Sequence, residues 1–167
     1  MIMERKEKNI SPEKALSRAA ALCSRSEQCE ADIRAKLTAW GIADVAAADA
    51  IVARLVSESY LSESRYARAF ARDRFRFAGW GRLKIAYALR LKRVAEESIA
   101  DALTEIDEED YAKALATALQ GKLRSVASRE PVQQRAALYR FAASRGYESD
   151  LAGRAISALL SHNQEDE

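Results

Sequence analysis

Between Arg65 and Arg93 the chain carries ten lysines and arginines and one acid, Asp73, a local charge of +9 in a 167-residue protein whose net charge is only +2. Such a cluster has a restricted chemistry. Arginine's forked, permanently charged guanidinium pairs with phosphate or carboxylate through two parallel hydrogen bonds. Bound phosphates would release counterions and make affinity steeply salt-dependent. An acidic protein surface is the other polyanion that fits. A purely solvated face would need acids at i, i+4 spacing, and Asp73 is the only acid within the run.

Placed on a helix, residues 63–77 separate by angle. Arg65, Arg68, Arg72 and Arg76 line one side; Tyr66, Phe70 and Phe77 cluster on the other and are expected in the core. Phe75 falls near the arginines and is a candidate for exposed contact, with the core as the alternative. Arg74 lies in the apolar sector, where it must snorkel or meet an anion, because a buried unpaired charge is too costly. Trp80 sits in "AGWG" between two basic helices, either as a plug at a helix junction or as a contact at a loop tip. The candidate contact residues are Arg65, Arg68, Arg72, Arg74, Arg76, Trp80, Arg82, Lys84, Lys92 and Arg93. An acidic stretch follows, from Glu96 and Glu97 to Asp110, and is expected to be a solvated helix face.

Other chemistries find little support. His162 is the single histidine, and Cys23 and Cys29, six positions apart, are the only cysteines. A Cys/His metal site therefore lacks ligands, and the thiols are expected to be reduced. There is no Gly-rich phosphate loop and no nucleophile elbow. The chain is expected to be a binder without cofactor rather than a catalyst. No apolar run approaches a bilayer span, and "MIMERKEKNI" lacks an apolar signal core. A soluble, cytoplasmic monomer is expected.

The elements that hold the basic run are helices. Two prolines and six glycines leave long stretches of good helix formers. Ser11-Pro12, Ser26, Asp44, Ser62, Asp107, Pro131 and Ser149 read as helix starts, and Gly41 and Gly146 as stops. Nine helices result, taken three at a time. Ile33, Ile85 and Leu138 are spaced by 52 and 53 residues, as are Ile42, Val94 and Tyr147, and the pairs Ala50-Ile51, Ala102-Leu103 and Ala155-Ile156. This is the mark of three copies of one unit. The expected fold is all-α: three tandem three-helix repeats in an elongated, curved array. Residues 11–58, 59–106 and 107–162 form the units, with an irregular tail at 1–10 and an acidic tail at 163–167. In the helix after "AGWG", Ile85 and Leu89 share one side and Leu83, Tyr87 and Leu91 another, so packing from two directions is expected.

"SRSEQCEADIRAKLTAWGI", "YLSESRYARAFARDRFRFAGWGRLKIAYALRLK" and "YRFAASRGY" resemble segments of the RecX family of bacterial recombination regulators, the middle one most specifically. The resemblance spans about Pro12 to Leu160. It implies three tandem three-helix repeats, a partnership with the RecA–DNA filament, lodging in the filament groove, and modulation of RecA ATPase and strand exchange; some relatives also bind DNA directly. Arg65, Arg68, Arg72, Arg74, Arg76, Arg82 and Lys84 match the family's basic block. Arg93 and Ser59 stand where that family commonly has glycine, and the resemblance implies that the second helix of the middle unit ends differently here. A helical protein acting on DNA without RecA is the alternative.

Overall fold

The computed structural model describes residues 9–165. Among them are nine helices and no strand: α1 (Pro12–Arg25), α2 (Glu30–Ala39), α3 (Val45–Ser57), α4 (Glu63–Ala78), α5 (Arg82–Leu91), α6 (Glu96–Leu103), α7 (Glu108–Ser125), α8 (Pro131–Arg145) and α9 (Ser149–Glu165). Ser11, Asp44, Ser62 and Asp107 cap α1, α3, α4 and α7 by accepting from a backbone N–H three residues on. Ser26 does not start α2. It ends α1 instead, its N–H bonding to Leu22 O, and Cys29 is the N-cap of α2.

The helices pack within triplets, α1 to α3, α4 to α6 and α7 to α9. Ile33, Ile85 and Leu138 are all fully buried, and Ile42, Val94 and Tyr147 are buried too. The third-helix pair is less regular: Ala102 is buried where Ala50 is exposed. Most of the predicted irregular tail, residues 1–8, lies outside the described residues, but Ile10 is buried and its N–H bonds to Trp40 O at 3.1 Å. At the other end α9 is helical through Glu165, into the stretch expected as a tail. Cys23 and Cys29 carry free thiols, and burial pushes both upward in pKa.

The units are joined in two ways. The first has its own core, built on Ile33, Leu37, Ile51 and Leu55 and closed by Leu61. The second and third share one core that runs from Ala67 to Ile156. Ion pairs bridge the first joint: Arg65 to Glu27 at 2.9 Å and Lys92 to Asp32 at 2.8 Å. Burial raises the Asp32 carboxyl, but hydrogen bonds from Lys92 and Cys29 outweigh it and hold the pKa below the usual range. A depressed carboxylate pKa contributes stability above its unfolded value, lost as pH falls through the folded one. Wild type denatured at about pH 7 and about pH 3 is therefore expected to lose stability that Asp32→Asn never had.

Arg93 corrects the expectation that its helix would end differently. Its φ is 59°, left-handed like Gly41 at 90° and Gly146 at 87°, the equivalent positions. The Val94 N–H bonds to Leu89 O, as Ile42 bonds to Leu37 O and Tyr147 to Ala142 O. All three second helices thus close alike, one with a side chain in a region that suits glycine. Arg93→Gly is expected to stabilise the fold by about 1 kcal/mol in chemical denaturation.

Candidate polyanion-binding surface

The ten cations of the basic run divide into two groups. Arg65, Arg68, Arg82, Arg90 and Lys92 make ion pairs; Arg72, Arg74, Arg76, Lys84 and Arg93 make none among the described residues. The paired set finds its acids on other elements, not within the run. Arg68 of α4 reaches Asp101 of α6 at 2.6 Å and Glu105, just beyond the end of that helix, at 3.5 Å. Part of the acidic stretch read as a solvated face is therefore neutralising its own protein.

Arg82 is the most deeply engaged. Its guanidinium meets Glu108 at 2.6 Å and Glu148 at 3.2 Å and lies 3.9 Å from the Tyr111 ring centroid. Burial works against this charge, and the two carboxylates more than offset it, so the pKa is raised. Its backbone N–H donates to Tyr111 Oη, which in turn donates to Glu148. Arg82 belongs to the joint between the second and third units.

That joint is built by two helix ends. The Gly81 and Leu83 N–H groups at the start of α5 donate to Arg145 O and Gly146 O at the end of α8, at 2.7 and 2.9 Å. Orphan donors of one helix thus meet orphan acceptors of another, with opposite dipole ends in contact. A Cβ on Gly81 would lie 2.4 Å from Gly146 backbone, and one on Gly146 would lie 2.5 Å from Lys84 N. The close approach needs both glycines.

Around the joint the unpaired cations alternate with rings. Trp80 has the Arg74 guanidinium 4.9 Å and the Lys84 ammonium 4.7 Å from its ring centroid, with Phe70 edge-on at 6.2 Å. Trp80 is thus packed partly into the junction and also carries cations. Arg74 does not enter the core; it is exposed and also lies over Phe70 at 5.0 Å. Lys84 reaches toward Ser144 O at 3.4 Å, and Arg145 donates to Ala78 O at 3.1 Å while lying 5.2 Å from the Phe141 centroid. Beyond Phe141 a surface depression of about 300 Å³ is lined by Lys122, Arg129, Ala137, Arg140, Phe141 and Ser144.

Lys122, Arg129, Arg140 and Arg145 were not among the sequence candidates. Like Arg74 and Lys84, they make no ion pair among the described residues. The sequence signal for them was weak: three isolated stretches, no cluster.

Of the two places open to Phe75, the structure takes the core: it packs inward, its ring 5.8 Å from Tyr111 of the third unit. Phe77, expected in the core, is 83% exposed and lines a depression beside Arg74 together with Asp73. The third unit, packing on the C-terminal half of α4, decides which ring is covered. Tyr66 and Phe70 are half-buried against the core, as expected, and burial pushes the Tyr66 hydroxyl up to about 12.

A family model described as the second three-helix domain of RecX matches residues 62–103. The chain is 35% identical over 138 residues to a regulatory protein RecX of Pseudomonas savastanoi pv. phaseolicola, covering 81% of this chain and 85% of that one. The chain belongs to the RecX family. A RecX protein of Prosthecochloris aestuarii is 30% identical over 149 residues, covering 89% and 95% of the two chains. A RecX protein of Clostridium perfringens is longer, and this chain spans 65% of it. The crystal structure of RecX from Lactobacillus salivarius superposes with a TM-score of 0.81 at 16% identity, over 89% of this chain and 96% of that one. The RecX repeat fold is therefore the fold of this chain, and the protein is a RecX-type regulator. Among the described residues no helix is long and apolar enough to cross a membrane.

Proposed function

We propose that this RecX-family chain binds the RecA–DNA filament as a monomer and restrains it, acting by binding alone and without a cofactor. The observation that carries the reading is the strip of unpaired cations and rings running from Arg74 through Trp80, Lys84 and Arg145 to Arg140. Cations satisfied by internal carboxylates gain little from a partner. Those left over are available to phosphate or to acidic protein, and a filament of protein on DNA offers both. The array spans neighbouring protomers across the groove. It opposes their conformational cycling and the addition of further protomers, so ATP hydrolysis and strand exchange fall.

Alternating cations and rings would also suit naked single-stranded DNA. One salt-series titration on two substrates separates the readings. RecA-coated single strands are expected to bind at least tenfold more tightly than the same strands bare, with both affinities falling as salt rises. Equal affinity for the two would favour a protein acting on DNA alone.

A further inference from the structure

We propose that the outer face of α5 is a docking surface for an apolar protein segment bordered on its Lys84 side by a carboxylate, carried by the partner that the cation strip holds. The inner face of the helix, Ile85, Ala86 and Leu89, is buried in the shared core. The outer face is not covered. Leu83, Tyr87 and Leu91, four residues apart, are 56%, 63% and 67% exposed. They form a continuous apolar stripe about 12 Å long. The expectation that a neighbouring unit would pack on this side is not met.

The repeat itself shows that the fold does not require these side chains. The equivalent positions, offset by 52 and 53 residues, are Ala31, Ala35 and Ala39 in α2 and Ala136, Arg140 and Ser144 in α8. Only the middle unit carries large apolar groups there. In α8 the same face supplies Arg140 and Ser144 to the cationic depression. One repeated helix face thus presents charge in the third unit and hydrocarbon in the second.

The charges beside the stripe identify what fits. By helical angle Lys84, which makes no ion pair among the described residues, borders one edge, and Arg90, already paired with Glu96, borders the other. Lys84 also belongs to the cation strip, so the two surfaces are continuous. A partner lying along both needs apolar groups over the stripe and an acid at the Lys84 margin. A second copy of this chain is disfavoured: a symmetric contact through α5 would bring the unpaired Lys84 of each copy into one interface, and the stripe itself carries no carboxylate to meet it. Tyr87 is the stripe's one ring, so successive bases have no second platform there, and the leucines on either side of it suit apolar side chains. The stripe therefore fits a protein.

This inference rests on the filament reading, and the test keeps the two apart. The variant L83A/Y87A/L91A copies the alanines of the first unit, so the fold should tolerate it. Binding of wild type and variant is measured to RecA filaments on single-stranded DNA and to the bare strand. The variant is expected to bind filaments at least tenfold more weakly, with bare-strand affinity unchanged. Wild type that binds filaments and a folded variant that binds them equally well would overturn the docking surface and leave the filament reading standing. Wild type that binds no filament would overturn both. A dimer in sedimentation, or binding to phosphatidylserine vesicles, that only the variant loses would assign the stripe to those occupants and overturn the proposal. Tyr87→Glu, a single exposed change, repeats the test if the triple variant does not fold.

Discussion

Neutralising Arg74, Lys84 and Arg140 together is expected to weaken filament binding about a hundredfold or more, whereas neutralising Arg65, Arg68 and Arg90 should change it by less than about threefold beyond any effect on folding. Each triple change to glutamine removes three positive charges, so net charge is matched. The difference lies in what each cation already has. Arg68 is held by Asp101 and Glu105 and Arg65 by Glu27, and Arg90 pairs with Glu96. These are exposed or half-exposed pairs worth little to stability, and a partner would have to break them to use the arginine. Among the described residues Arg74, Lys84 and Arg140 have no carboxylate to leave. A charge-assisted hydrogen bond contributes about 1.5–3 kcal/mol, so removing even two accounts for a hundredfold. If phosphate is the ligand, the slope of log affinity against log salt should flatten by about one for each phosphate no longer held. If the two triples weaken binding equally, long-range charge and not the strip is what the filament reads.

The largest effect on the fold is expected from one methyl group. Gly81 has φ −78° and ψ 169°, a conformation open to any residue, so an alanine there is not strained by its own backbone. Space is the obstacle. Its Cβ would lie 2.4 Å from the carbonyl carbon and oxygen of Gly146 and 2.6 Å from Tyr147 N. Those are main-chain atoms, held by the bonds from Gly81 and Leu83 that splice α5 onto α8. They have no rotamer to move to. Gly81→Ala is expected to destabilise the second and third units by about 3 kcal/mol or more. In chemical denaturation the shared core should unfold at lower denaturant, and the Trp80 environment should report the change. Gly121→Ala, in the interior of α7 with nothing within 4 Å of the new Cβ, is the control. It should raise stability by about 1 kcal/mol. Similar losses of stability at both glycines would contradict the spliced joint.

Local signals carried most of the fold. Ser62, Asp44 and Asp107 could be placed as caps because a cap is a bond over three residues. The triple repeat was visible because buried positions recur at a fixed offset, and the left-handed positions 41, 93 and 146 share it. The site was half legible. The basic run could be seen, but its neutralisation could not, because the acids lie far along the chain: Asp101 is 33 residues from Arg68, Glu27 38 from Arg65, and Asp32 60 from Lys92. The cations of the third unit were missed for the converse reason. Lys122, Arg129 and Arg140 are scattered in sequence and come together only when α7 packs against α8. Phe75 and Phe77 show the same limit: an angle on one helix does not reveal which neighbour arrives.

The measurement that bears most directly on filament binding through the cation strip is an electron cryomicroscopy map of RecA filaments on single-stranded DNA saturated with the protein. The strip from Arg74 and Trp80 to Lys122 and Arg129 should lie against the filament, with phosphate or carboxylate beside the Arg74, Lys84 and Arg140 side chains. A map in which that strip faces solvent, and another face of the repeats meets the filament, would contradict it.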